Sequence, residues 1–423
     1  MTSIITLDLS ENELQGDLPS MAQLCKLKEI DLSGNTWNRS ISQILDSFSG
    51  CLSDRLKVLK IQDGQIYGHL TNKIGQFKSL TDLDLSSNSI SGLIPESLWQ
   101  LVNLEWLNIG NNHMEGTLSE AHFANTTSLR SFYASNNPLI LKVDQDWVPP
   151  FQLESLDMGS WHLGPRFPLW VRSQKKLSYL GLYNTSLADV LPLWVFNFSS
   201  ELEYLDLSQN QMHGRIPNLT NMGTQKYLEI DLSQNHFEGP LPLVSSKVVR
   251  LDLSDNLLSG SISQFLCSSP IEPMKMASLY LAKNQLSGNL PNCWSKWNNI
   301  KVLNLNNNSF GGAIPSSFGS LIFLQSLHLR NNNLFGILSL SSLQNCINLV
   351  ILDLSWNKFG GNVPTWLGTG PSMLRFLFAG FNEFHGHIPR NYVLSIPFKS
   401  WIFQTTNCSA QYQNVLTISL IWQ

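Results

Sequence analysis

A solenoid of short stacked coils is the fold class this sequence predicts. It should form a curved right-handed superhelix, with a parallel β-sheet on the concave face and short 3-10 turns and loops on the convex side. Three observations predict it. The pattern Leu-x-x-Leu-x-Leu-x-x-Asn-x-x-x-Gly-x-Ile-Pro stands complete at Leu202 to Pro217 and recurs almost from end to end. Aligned on its Asn, it gives sixteen copies, at Asn12, Asn35, Gly64, Asn88, Asn112, Asn137, Trp161, Thr185, Asn210, Asn235, Asn256, Asn284, Asn308, Asn332, Asn357 and Asn382. Their mean spacing is about 24.7 residues, and thirteen of the sixteen keep the Asn.

A fixed period of about 20–29 residues with this Leu spacing is the signature of a leucine-rich repeat. The Leu-x-Leu core reads as a short strand whose alternate side chains point inward. One unit cannot bury its Leu face alone, so neighbours stack and share a core. The ladder Asn should turn inward and satisfy backbone groups at the bend and in the adjoining coil, since a buried amide is tolerated only when so bonded. Gly four residues on should relieve crowding between coils, and Pro seven residues on suits an extended segment with no ladder hydrogen to give.

Composition narrows the function classes. Charged residues make up 14% of the 423, with 27 basic against 31 acidic, and no basic tract appears, so nucleic acid is not the expected partner. A surface rich in Asn, Ser and Gly suits an extracellular, glycosylated protein. Sequons at Asn38, Asn125, Asn184, Asn197, Asn218, Asn307 and Asn407 fit that placement. Asn184 and Asn307 immediately precede ladder positions, so sugar there would restrict binding on the concave side. Cys25 and Cys51 fall in successive units, as do Cys267 and Cys293. Stacked coils lie about 4.8 Å apart, within reach of a disulfide, but the offsets from the ladder differ, which leaves both pairings open. Cys346 has no evident partner, and no cysteine–histidine cluster suggests a metal or other cofactor. Met1 leads straight into the first strand, so no signal peptide is expected, and no apolar run is long enough for a transmembrane helix.

Along the chain, the spacing widens between Asn35 and Gly64, where Asn38 to Ser53 forms a longer outer segment. From Asn137 to Thr185 the pattern loosens: the ladder Asn is replaced twice, and Trp147-Val148-Pro149-Pro150 intrudes. Period and Leu positions persist, so 1–389 reads as one repeat array. No long amphipathic helix pattern occurs.

The residues at this point carry a family resemblance. Leu-x-x-Leu-x-x-Leu-x-Leu-x-x-Asn-x-Leu-x-Gly-x-Ile-Pro resembles the plant-type, extracellular form of the repeat. Leu163-Gly164-Pro165-Arg166-Phe167-Pro168-Leu169-Trp170, Ser173 to Leu177, Leu191-Pro192-Leu193-Trp194, Leu343-Gln344-Asn345-Cys346 and Asn357 to Gly361 are similar to the plant receptor-like proteins. The resemblance covers Ile4 to about Pro389. It implies a plasma-membrane protein whose extracellular face perceives microbial or developmental signals. It also implies a partner co-receptor kinase, because the family lacks a kinase domain of its own.

After Pro389 the pattern stops, and 390–423 reads as an irregular tail. Taking the last base of each codon with the first two of the next, Trp401-Ile402 forces Asp and Asn407-Cys408 forces Leu. With allowed wobble bases, Ser400 to Ser409 then spells L-D-L-S-D-N-K-L-L, another repeat in phase. The tail is therefore expected to be frameshift-derived.

The concave face is the expected binding surface. Trp106, Tyr133, Tyr179, Tyr183 and Tyr204 should line successive coils, and aromatic residues of this kind bury large area at low entropic cost. A second candidate surface is His328, Arg330 and Trp356, with Phe376, Phe378 and Phe381 nearby. Recurrent Asp in the repeat creates carboxylate pairs without catalytic meaning, and no Ser/His/Asp set or phosphate loop stands out, so no enzyme is expected. The predicted function is the ligand-binding ectodomain fragment of a plant cell-surface receptor-like protein in defence or developmental signalling, taking an extracellular peptide, protein or glycan. The alternatives are a secreted repeat protein that inhibits a microbial cell-wall-degrading enzyme, or a non-functional truncated receptor product.

Overall fold

The computed structural model describes residues 3–220, 227–268, 274–338, 343, 345–365, 373–387 and 400–402, the last three as backbone. Contacts divide the chain into two compact units, Met1–Gln211 with Gly223–Gln225, and Met212–Met222 with Lys226–Gln423. Both are built from the same coil, and the fold is a leucine-rich-repeat solenoid. In the first unit, strands from Thr6–Asp8 to Tyr204–Asp206 pair in parallel, each in register with the next. In the second, strands from Leu228–Asp231 to Phe376–Phe378 also pair in parallel, with one register shift between Leu228 and Glu229 where the first of them meets Val248–Asp252. After the first strand, the middle residue of each three-residue strand of this sheet is buried wherever side chains are described. Leu59, Leu83, Leu107, Leu180 and Leu205 in the first unit, and Leu279, Leu303 and Leu327 in the second, are fully buried.

The ladder Asn behaves as its position demands. Asn112 donates to Leu85 of the preceding coil at 2.9 Å and to Ile109 and Gly110 of its own, each at 3.2 Å. Its Oδ1 accepts the N–H of Ile90 at 2.9 Å. The three units without Asn find substitutes. The indole of Trp161 donates to Ala134 of the preceding coil at 2.8 Å. Thr185 donates its hydroxyl to Leu182 at 2.8 Å. At Gly64 the side chain of Trp37 approaches the vacant Cβ position, and its indole donates to Leu32 at 2.9 Å.

The residue before every ladder position takes left-handed backbone, with φ from +49° to +65° in all sixteen coils. The Gly four residues after the ladder also has positive φ, as at Gly92, Gly214 and Gly312. Crowding between coils, the expected reason for that Gly, holds at Gly92, Gly116 and Gly312, where an added Cβ would lie 2.5, 2.6 and 2.8 Å from a side chain of the preceding coil, but not everywhere. An added Cβ at Gly16 or Gly260 would meet nothing within 4 Å, so the requirement there is conformational.

Two further departures follow from the outer side of the coil. The residues after the ladder form a second parallel sheet, Tyr67–His69 to Leu139–Leu141 in the first unit and His213–Arg215 to Glu383–His385 in the second. Besides the expected 3-10 turns there are short α-helices at Ile41–Ser47, Glu120–Phe123 and Ser263–Cys267. The first fills the long step after Asn35, where Ser40 and Gln43 form a reciprocal cap. Cys25–Cys51 and Cys267–Cys293 are disulfide-bonded, with Cα atoms 5.2 and 5.4 Å apart, and Cys346 is free and buried. Beyond Pro389, Ser400–Ile402 runs as a strand parallel to Phe376–Phe378, where the sequence led us to expect no ladder. The rest of 390–423, with its proposed frameshift and Asn407, lies outside the described residues. Among the described residues no helix is long and apolar enough to cross a membrane.

Candidate functional site

Four of the five aromatic residues form one continuous row on the main sheet of the first unit. The short strand exposes its first and third residues on either side of the buried Leu, and that alternation places the rings. Trp106 opens its strand and Tyr133 ends the next, with ring centroids 6.0 Å apart. The following coil contributes no ring, because Ser155 and Asp157 occupy its two positions. Tyr133 and Tyr179 reach over it and meet at 6.1 Å. Tyr179 and Tyr204, paired in register, stack at 4.5 Å with planes 6° apart.

Tyr183 stands beside the row, on the column where ordinary units carry Ser. Its ring lies on Gly159, where an added Cβ would come within 2.2 Å of Cζ. Burial raises the Tyr183 phenol pKa, while hydrogen bonding to Ser135 and Asn136, one coil beyond Gly159, opposes that shift. Gly181 opens a second gap, on the column where ordinary units carry Asp. Asp157 beside it accepts the N–H of Gly159 at 3.1 Å and the hydroxyl of Ser135 at 3.0 Å. Burial pushes the Asp157 carboxyl above the usual range, and the charge of Asp206 adds to the rise. Burial likewise raises the Tyr179 phenol. At one margin Arg130 spans Glu105 and Glu154, at 3.5 and 3.6 Å. The gaps at Gly159 and Gly181 were missed by a search for conspicuous side chains. Their signal was a Gly standing on a Ser column and on an Asp column.

The second candidate surface is less connected. His328 meets the hydroxyl of Ser326 at 2.7 Å, and burial lowers its pKa. Arg330 is exposed. Trp356 stacks on Phe381 at 4.0 Å, both in left-handed backbone. That contact ties Trp356 to the next coil rather than to His328 or Arg330. The sequon residues Asn38, Asn125, Asn184, Asn197, Asn218 and Asn307 are all exposed. Asn184 also donates to Ser160 at 3.1 Å, and Asn307 accepts from Asn331 at 2.9 Å. Among the described residues, no group of three or more His, Cys, Asp or Glu could hold a metal ion.

The family model "Leucine rich repeat" matches residues 54–114, and a second, "Leucine Rich Repeat", matches 201–222, 299–321 and 348–369. The receptor-like protein EIX2 of Solanum lycopersicum is 40% identical over 275 residues, which is 65% of this chain and 26% of that protein. The receptor-like protein EIX1 of the same plant is 40% identical over 135 residues, 32% of this chain and 13% of that one. This chain is a leucine-rich-repeat protein similar to plant receptor-like proteins. Among solved structures, the plant peptide hormone receptor RGFR1 in complex with RGF2 superposes with a TM-score of 0.73 and 27% identity, over 92% of this chain and 64% of that one. The Arabidopsis receptor kinase HAESA, in complex with the peptide hormone IDA and the co-receptor SERK1, gives 0.67 and 28%, over 95% and 70%. The chain spans about a quarter of the length of EIX2.

Proposed function

We propose that this chain is the ligand-recognising part of a plant cell-surface receptor-like protein, and that it binds an extracellular peptide through the aromatic row of the first unit. The row itself carries the reading. Rigid rings from Trp106 to Tyr204 form a contiguous amphipathic surface, with hydroxyls and the Asp157 carboxylate placed among them to fix orientation. Such surfaces bury area at low entropic cost and give orientation through a few polar groups. Solved structures of similar fold hold peptide hormones, and one holds a co-receptor, which favours a peptide ligand and a partner kinase here. The glycans proposed for the exposed sequons fit an extracellular location.

The test uses the chain secreted from plant cells with its disulfides formed. Peptides from apoplastic fluid are fractionated and measured for binding by surface plasmon resonance. Wild-type protein should bind a fraction that the Tyr179→Ala/Tyr204→Ala variant binds at least tenfold more weakly, with unchanged thermal unfolding. Equal binding by both proteins removes the row from the site. Binding shifted to His328→Ala or Trp356→Ala would transfer the site to the second surface.

A further inference from the structure

A cleft of about 650 Å³ opens in the first unit between residues 141–145 and 163–170, a size typical of ligand sites. Its origin lies in one broken ladder. The strand Leu139–Leu141 belongs to the second sheet, and its residues alternate in which side they bond. Lys142 donates to Leu118 on one side, at 2.9 Å. On the other side, His162 donates to Leu139 at 2.8 Å, and Leu141 donates to His162 at 3.3 Å. Continuing that parallel pattern, Gly164 N–H would bond Leu141 C=O, and Val143 N–H would bond Gly164 C=O.

The chain does otherwise. Gly164 donates to Thr185 of the following coil at 3.0 Å, and Ala188 donates to Pro165 at 2.8 Å. Gly164 presses so close to that coil that a Cβ would lie 1.8 Å from Ser186 O. Drawn away like this, the segment leaves Leu141 C=O and Val143 N–H without a hydrogen bond among the described residues. Leu141 and Val143 both line the cleft. Its walls include Leu163, Phe167 and Leu169, together with Trp170, which is 6% exposed and whose indole N–H also lacks an acceptor. Lys142 and Arg166 at the rim form no ion pair among the described residues, and Glu120, Asp144 and Asp189 balance them. A rim of mixed sign over an apolar wall suits neither a polyanion nor a polycation.

We propose that this cleft is a strand-addition site, which takes an extended peptide segment of a partner protein running parallel to Leu139–Leu141. The segment's main chain would bond Leu141 C=O and Val143 N–H, and its alternate side chains would enter the apolar wall. Main-chain bonding supplies affinity in this mode, and the side-chain pockets supply selectivity. The proposal is independent of the aromatic row.

Phage-displayed random octapeptides are panned against the whole secreted chain, and selected peptides are measured by isothermal titration. The expected peptides alternate apolar and polar residues, and bind Val143→Pro at least tenfold more weakly. N-methylation of the one peptide nitrogen that faces Leu141 should cost the same. Tyr179→Ala should leave their affinity unchanged. Where Val143→Pro fails to fold, the N-methyl scan decides alone. The proposal is overturned if no selected peptide is sensitive to either change. It is equally overturned if binding survives both changes but is lost in Arg166→Ala, which would mean recognition of an anionic group by side chains.

Discussion

Asn112 makes four hydrogen bonds to backbone groups. The carbonyls of Leu85, Ile109 and Gly110 also accept from Asn88, Asn137 and Ser87, whereas the Ile90 N–H has Asn112 as its acceptor. Asn112→Leu would strand the Ile90 N–H in a buried site, at about 1–3 kcal/mol for the group left unmatched. Urea unfolding should show a loss of at least that size for Asn112→Leu. Asn12→Ala should show much less, because Asn12 is exposed and water can replace its two bonds, to Leu9 and Ser10. Gly159→Ala places a methyl group inside the ring of Tyr183 and should cost about 1–3 kcal/mol, as overpacking does. Near-ultraviolet circular dichroism should report the displaced tyrosine. Asp157 gives a pH signature. Its folded pKa lies above its unfolded value because burial disfavours the charge. The native state therefore holds this proton more tightly, and the stability so gained at acid pH is lost as pH rises through the folded pKa. The stability of wild type relative to Asp157→Asn should fall as pH rises above the ordinary carboxylate range, near 3.8; a difference in urea midpoints that stays flat as pH rises contradicts the assignment. At this scale the sequence was informative where a side chain recurs. The ladder Asn was legible from its period, whereas the roles of Trp37 and Gly159 depend on which neighbouring coil each one meets.

The coil is the element of this fold, and what joins coils decides local stability. Cys25–Cys51 closes a loop of 26 residues between two successive outer segments. Replacing both cysteines with Ser should cost about 3.5 kcal/mol by the loop-entropy relation. In a solenoid that loss stays near its source. Hydrogen exchange should therefore accelerate in residues 5–60 and remain unchanged around Tyr179–Gly181. The ladder strands were readable from Leu spacing because one buried residue in a fixed frame is enough to define them. The second sheet was not, because its strands carry Gly and polar residues, such as Ser89–Leu93, whose pairing comes from coil stacking rather than from their own pattern. The helix at Ile41–Ser47 was hidden for a related reason. Seven residues are too few to show a helical period, and the local signal was the cap pair Ser40 and Gln43. The strand at Ser400–Ile402 shows that register can be imposed by a preceding coil where the chain offers no Leu-x-Leu.

On the scale of the whole chain, the exposed sequons set an expectation for secreted material. Intact-mass measurement before and after enzymatic deglycosylation should show at least two occupied sites among Asn38, Asn125, Asn184, Asn197, Asn218 and Asn307; a single unshifted mass contradicts it. The solenoid was fully legible, because sixteen copies repeat one physical instruction. The binding surface was legible as a set of rings but not as a connected row, since ring contacts across the Ser155 coil depend on side-chain length and on two missing side chains. The cleft beside Leu141 had no legible cause at all: it results from Gly164 leaving its lane, a tertiary choice. The left-handed residue before each ladder position has a consequence for how such chains change over generations. None of those sixteen residues is Val, Ile or Thr, and β-branched residues are poorly tolerated in that backbone. One column of the face therefore draws on a smaller alphabet than its neighbours. Lineages acquiring new ligands should diversify at the strand positions beside Leu107, Leu180 and Leu205, while this column drifts only among Asn, Gly, Ser, Asp and a few long side chains.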